Sequence, residues 1–203
     1  MSTRRMNARR RRIAALAVLL CALAACNSTP PAPEWAGPAP EQLVAEIRAA
    51  GKAAPDELDV QPLRDPMVED LRVKAVQAER RHDAAEAAAL LDRALALSPD
   101  DPALLQERAE VAVLLKDLDK AGALARRAFE TGAKVGPLCR RHWATIRQQL
   151  VFEQRGLQAQ AAARKLKGDK LAQWERASTQ TAAALIDAEQ AQTACTLTGP
   201  ARY

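Results

Sequence analysis

The sequence predicts an all-α protein, and two observations support that class. Aromatic residues make up only 3% of the chain while alanine is abundant, which favours closely packed helices over the bulky core of a sheet sandwich. Asp65-Pro66 and Asp101-Pro102 each combine an N-cap acid with proline at the first helical position, and the two pairs lie 36 residues apart. This recurrence indicates a repeated helical unit.

The first 25 residues have the pattern of an export signal. Six arginines and no acidic residue lie within Met1–Arg12, and a short apolar run, Ile13–Ala25, follows. A helix needs about twenty apolar residues to cross a bilayer core, so this run is too short for a stable span. A basic start, a short apolar stretch and small residues at its end are typical of a secretory signal peptide.

The apolar run ends in Leu23-Ala24-Ala25-Cys26, which resembles the lipobox of bacterial lipoproteins. The resemblance implies that signal peptidase II cuts before Cys26, and that diacylglycerol and an N-acyl chain such as palmitate anchor this cysteine in a membrane. Because Asn27 rather than Asp follows, the family's sorting rule implies the periplasmic face of the outer membrane, with the inner membrane as the alternative. A second alternative is an ordinary signal peptide that leaves Cys26 as a free thiol.

Removal of this leader changes how the charge is interpreted. The whole chain has a formal charge of +5, but without the six leader arginines 24 basic residues face 25 acidic ones. The mature chain therefore gives no electrostatic reason for a nucleic-acid partner. Five prolines within residues 27–40 predict an extended tether, which at about 3.1 Å per residue spans roughly 40 Å.

The cysteine count is reduced in the same way. Cys21 leaves with the leader and Cys26 takes the lipid, so Cys139 and Cys195 remain as an even pair in an oxidising compartment. We predict a disulfide between them. The alternative is two buried cysteines that act as small apolar side chains.

Two successive segments, starting at Val68 and at Pro102, resemble the tetratricopeptide repeat. Small residues stand where that family has them, and the turns His82-Asp83 and Lys116-Asp117 correspond to its Gly-Asp turn. The corresponding positions hold Ala75, Ala87, Leu91, Ala94 and Pro99 in the first unit, and Ala109, Ala121, Ala125 and Ala128 in the second. The sequence departs from the family pattern where Ala133 replaces the second unit's Pro, where Ala75 and Ala109 replace Gly, and where Ala78 and Ala112 replace Tyr. The resemblance implies a short helical-hairpin solenoid. An unrelated helical bundle is the alternative, because alanine-rich helices match such positions easily.

The register weakens after the second unit. We predict a helix over 138–154, a turn at Arg155-Gly156, a helix over 157–167, and a capping helix over 171–194 after Gly168. The predicted organisation is a signal peptide at 1–25, a lipidated cysteine and proline-rich tether at 26–40, a short helix and connector at 41–67, two repeat units at 68–135, and a degenerate third pair with a capping helix at 136–203.

No motif in the mature chain predicts catalysis, a cofactor or a metal ion. His82 lies in a predicted turn, and His142 is expected to be exposed or half-buried on a helix. The zinc-binding His-Glu-x-x-His, Cys-x-x-Cys and Gly-x-Ser-x-Gly patterns do not occur. The sequence therefore predicts a non-enzymatic protein.

The resemblance also implies a groove lined by the first helix of each unit. Carried onto this sequence, its candidate residues are Glu69, Arg72, Val76 and Glu79 in the first unit and Gln106, Glu110 and Val113 in the second, together with Ala103. Such a surface suits a polar peptide or a partner helix, although it could equally be a solvated helix face. The predicted function is a membrane-anchored periplasmic adaptor for a protein of the cell envelope. The alternative is a structural lipoprotein that contacts peptidoglycan.

Overall fold

Seven helices account for most of the chain in the computed structural model, which describes residues 35, 37–52, 57 and 63–196. They are α1 (Pro40–Ala50), α2 (Pro66–Arg80), α3 (Ala84–Leu97), α4 (Pro102–Leu114), α5 (Leu118–Thr131), α6 (Pro137–Arg164) and α7 (Asp169–Ala194). No strand occurs in the described ranges. The predicted all-α class is confirmed.

The chain divides into the units Met1–Ala36 and Gly37–Tyr203, and all seven helices belong to the second. The predicted signal peptide, Cys26 and most of the proline-rich tether lie outside the described residues. Among the described residues, no helix combines the length and the apolar character that crossing a membrane requires.

Aspartate side chains start the helices of the two repeat units. Asp65 accepts a hydrogen bond from the Met67 amide at 2.7 Å, and Asp101 accepts one from the Ala103 amide at 2.9 Å. These bonds satisfy amides that have no partner inside the helix. Both predicted N-caps are confirmed.

The two inter-helix turns have the same construction. Asp83 and Asp117 accept from the amides three residues later, at 2.9 Å and 3.0 Å. The residues before them, His82 and Lys116, have φ values of 60° and 63°. This left-handed conformation favours glycine, which is the residue that the tetratricopeptide pattern places there.

Three hairpins follow one another as α2/α3, α4/α5 and α6/α7, and each packs against the next. The small residues of the repeat pattern lie where the helices meet, at exposures of 3% or less: Ala75, Ala87, Ala94, Ala109, Ala121, Ala125 and Ala128. Side chains of this size let helix axes approach closely, which explains why the core needs few aromatic residues. The arrangement is a short tetratricopeptide-like solenoid.

The third hairpin differs from the prediction. The expected turn at Arg155-Gly156 is wrong, because α6 continues without interruption to Arg164. Glycine in a helix costs about 1 kcal/mol relative to alanine, which α7 packing along α6 offsets here. The predicted break at Gly168 is confirmed, and α7 serves both as the second helix of this hairpin and as the helix that ends the stack.

Candidate functional site

The inner groove is the face formed by the first helix of each hairpin, α2, α4 and α6. Helix α1 lies in this groove, where it packs against α4 and α6. Its apolar residues Leu43, Val44 and Ile47 are 4%, 3% and 0% exposed. The surface on which a partner helix would bind is therefore covered by a segment of the same chain.

Three contacts fix the end of α1 against the start of α6. The Arg140 guanidinium donates to the carbonyl oxygens of Ala50 and Lys52, at 3.1 Å and 3.0 Å, and forms a two-point ion pair with Glu57. A Cβ added at Gly51 would lie 2.3 Å from Cγ of Arg141, so only glycine permits this approach. The helix that fills the groove is therefore a fixed part of the domain.

This arrangement divides the predicted groove residues into two groups. Those of the first unit stay partly exposed at the groove's open end: Glu69, Arg72, Val76 and Glu79. Those of the second unit are sealed, since Gln106, Glu110 and Val113 are each 0% exposed, while Ala103 is half-buried. The expectation that the second unit lines an open groove is corrected, because α1 and α6 pack over it.

Glu110 is the centre of the sealed region. Its carboxylate accepts from Arg48 Nε at 2.8 Å, from Arg141 Nη2 at 2.5 Å and from Gln106 Nε2 at 2.9 Å. A carboxylate with no access to water needs such partners, since burial of an unpaired charge is costly. Glu110 therefore joins α1, α4 and α6 electrostatically.

Arg48 extends this network to the open end, where its Nη1 and Nη2 donate to both carboxylate oxygens of Glu79. Burial by itself would lower the pKa of Arg48, but hydrogen bonds and charge attraction from Glu79 and Glu110 outweigh it and raise the pKa. Arg48 is therefore a permanent cation between two carboxylates, and it separates the sealed region from the open one.

His142 is fully buried, contrary to the expectation of an exposed or half-buried ring. Its Nδ1 lies 2.8 Å from Oε1 of Gln106, whose amide nitrogen donates to Glu110 and to Thr145 Oγ1. Because that amide oxygen can only accept, Nδ1 carries the proton. Burial, with the nearby charges of Arg141 and Lys134, lowers the pKa of His142 to about 3, so the ring is neutral.

A cleft of about 430 Å³ stays open between α1, α2 and α4. Its wall includes Arg48, Val76, Glu79, Arg80, Glu107 and Arg141. Burial raises the pKa of Glu107, against the attraction of Arg72, which donates from Nε at 3.0 Å. Arg80 forms no ion pair with any residue that the structure describes, so the cleft offers a free guanidinium beside an apolar patch and carboxylates.

Cys139 and Cys195 are joined by a disulfide and are 0% and 1% exposed. The bond connects the start of α6 to the end of α7, and the Gly136 amide donates to the Cys195 carbonyl oxygen at 2.7 Å. In the described part of the chain, no cluster of histidine, cysteine, aspartate or glutamate could hold a metal ion. Cys26 lies outside the described residues.

Sequence reasoning did not single out Arg140 and Arg141, although Arg140 binds the segment that follows α1 and Arg141 binds Glu110 on α4. Consecutive helix positions point about 100° apart, so Arg140 flanks the apolar stripe of Cys139, Trp143 and Ile146 while Arg141 lies on the face away from it. That pattern was a usable signal for two separate acidic partners.

No protein-family model and no curated protein matches the chain.

Proposed function

We propose that this chain is a non-enzymatic adaptor, anchored in the outer membrane through lipid on Cys26, that binds a protein partner of the cell envelope. The observation that carries the proposal is the open cleft between α1, α2 and α4, where the exposed Arg80 forms no ion pair with any described residue. A mixed-charge cleft with an apolar patch and convergent polar groups suits recognition of a polypeptide.

The geometry narrows the form of the bound segment. Because α1 already occupies the inner groove, we expect the open cleft of about 430 Å³ to take a few side chains of an extended peptide rather than a second helix. Arg80 would pair with a carboxylate of this peptide and Glu107 with a donor, while Val76 contacts an apolar side chain.

Site-specific photocrosslinking tests this proposal in cells. A photoreactive phenylalanine analogue replaces Val76, which lies in the cleft, or Val73, which is 41% exposed on the same helix and does not line the cleft. We expect a discrete crosslinked partner from the Val76 position and none from Val73. Equal labelling from both positions, or none from either, would contradict the proposal.

Membrane attachment has its own test. In the Cys26→Ala variant we expect the protein to leave the membrane fraction and the Val76 crosslink to fall, because partner and domain no longer share a surface. Sedimentation of the purified chain with peptidoglycan sacculi, unchanged by Arg80→Ala, would instead favour the structural alternative.

A further inference from the structure

The third hairpin extends well beyond the other two. Helices α6 and α7 have 28 and 26 residues, whereas the helices of the first two hairpins have 13 to 15. At 1.5 Å per residue, α6 is about 42 Å long, roughly twice the length of its neighbour α5. Beyond Leu150 no described residue of α6 is fully buried. The hairpin tip, residues 155–176, thus projects from the stack.

The tip carries a charge of opposite sign to the rest of the mature chain. Between Arg155 and Arg176 there are six basic and two acidic residues, which leaves 18 basic against 23 acidic residues elsewhere after leader removal. Lys165, Lys167 and Lys170 are exposed and form no ion pair within the described ranges.

Helix capping accounts for only part of this charge. Lys165 follows the C-terminus of α6, where a cation is favourable, but Lys170 lies in the first turn of α7, where the helix dipole opposes a cation. Asp169, in the same turn, partly offsets this effect, but no carboxylate among the described residues forms an ion pair with Lys170. Lys170 is therefore available to pair with an external anion.

The three lysines surround a cleft of about 760 Å³ between the ends of α6 and α7, lined also by Leu157, Leu166 and Trp174. The indole Nε1 of Trp174 donates to the Leu157 carbonyl oxygen at 2.7 Å, which fixes the ring against α6. These apolar side chains are half-buried while the lysines are exposed, so a recessed apolar floor has a cationic rim.

We infer that the hairpin tip is a second docking surface, which binds a segment of a protein partner that combines acidic and apolar side chains. Carboxylates would pair with the lysine rim, and apolar side chains would enter the cleft against Leu157 and Trp174. A flat membrane surface would meet the lysines but not the recessed floor. A purely polar polyanion would leave that floor uncovered.

Binding of a synthetic peptide to the purified full chain tests the inference directly. The probe is a short fluorescein-labelled peptide of glutamate and leucine. Its binding to the chain is measured by fluorescence anisotropy at low and at high salt. We expect saturable binding that weakens with salt, because exposed charge pairs are screened. The Lys165→Gln/Lys167→Gln/Lys170→Gln variant should bind about tenfold more weakly.

A matched variant carries the same changes at lysines far from the tip, Lys74→Gln/Lys116→Gln/Lys120→Gln, and should bind like the wild type. Peptide binding should also shift the tryptophan emission in the wild type and in Trp35→Phe, but not in Trp174→Phe. A glutamate-only peptide should bind more weakly than the glutamate–leucine peptide.

Three results would overturn the inference: no saturable binding, equal weakening in both triple variants, or tip-dependent binding of anionic phosphatidylglycerol vesicles with none of the peptide. The inference rests on the proposed function only in taking the partner to be a protein. Since this assay reports the tip alone, it can fail while the Val76 crosslink succeeds, and the reverse also holds.

Discussion

The first helices of the two repeat units, α2 and α4, have equivalent places in their hairpins but differ in how much of their surface is buried. Helix α2 buries one stripe, Val68, Leu71, Ala75 and Ala78, and leaves its groove side partly open. Helix α4 buries nine of its thirteen residues, including Gln106, Arg108 and Glu110. The difference arises because α1 and α6 both pack against α4.

This comparison shows what converts a potential binding surface into a core. At the ninth position of the repeat, α2 has the half-buried Val76 and α4 has the fully buried Glu110. The apolar residue lies in the open cleft, whereas the charged one lies inside. Glu110 is tolerated because partners on three helices satisfy it, and the sealed region is therefore specified by polar contacts as well as by apolar burial.

The largest expected effect on stability comes from the disulfide, which links α6, one of the helices that enclose the sealed region, to the end of α7. Replacing both cysteines, Cys139→Ser with Cys195→Ser, removes a link between residues 56 apart, which is worth about 4 kcal/mol on the chain-entropy model. We expect the free energy of unfolding in urea to fall by about that amount. Amide exchange should accelerate more in α6 than in α2.

Reductant provides the control for that experiment. It should reproduce the loss in the wild type and leave the double serine variant unchanged. If amide exchange accelerates equally in α2 and α6, the sealed region around Glu110 and the open end at α2 are not stabilised independently.

Breaking the Glu110 network comes next. Glu110→Ala leaves Arg48 and Arg141 without their shared carboxylate, and removing one partner of a buried ion pair costs about 3 kcal/mol. Glu79→Ala removes a carboxylate that is 23% exposed and should cost about 1 kcal/mol or less. Urea unfolding of both variants measures the difference, and similar losses would refute the contrast between sealed and open ends.

The buried His142 in the sealed region should also make the stability of the protein sensitive to acid. The pKa of His142 is about 3 in the folded chain against an ordinary 6.5, so between these values the unfolded chain binds the additional proton. Stability therefore falls as the pH drops from about 6.5 towards 3, with a limiting slope of about 1.4 kcal/mol per pH unit. The raised pKa of Glu107 acts in the opposite direction, since its contribution is lost as the pH rises above about 4.5.

Urea unfolding across this pH range, in variants of each residue, separates the contribution of His142 to stability from that of Glu107. In His142→Asn we expect a smaller slope than in the wild type, whereas Glu107→Gln should keep the His142 contribution. An unchanged slope in His142→Asn would mean that the ring is not held neutral.

The smallest effect concerns the turns, which the two units share. Because His82 and Lys116 adopt left-handed backbone angles, His82→Gly or Lys116→Gly relieves a strain of about 1–2 kcal/mol. Glycine's greater freedom in the unfolded chain offsets part of this relief. The free energy of unfolding, measured by heat or urea, should therefore rise by about 0.5–1 kcal/mol in each variant. We expect equal gains, since both turns lie outside the sealed region, and a loss in either would contradict this.

The sequence reached much of this architecture because its strongest signals are local. Asp65 and Asp101 predicted helix starts, since capping depends on a few adjacent atoms. The small residues Ala75 and Ala109 predicted close helix contacts because only short side chains permit them. The same local reasoning failed at Gly156, where the pattern indicated a turn and α7 instead supports a continuous helix.

By itself, then, the sequence determined the all-α class, the repeated hairpins and the starts of their helices. It also predicted α1 as a helix, but an amphipathic pattern tells which face is buried and not which surface covers it. Only the tertiary structure decided that α1 fills the inner groove, that Gln106 and Glu110 are sealed while Val76 stays open, and that the third hairpin projects. Those outcomes depend on contacts between residues distant in the chain, such as Arg48 with Glu110, and no local pattern encodes them.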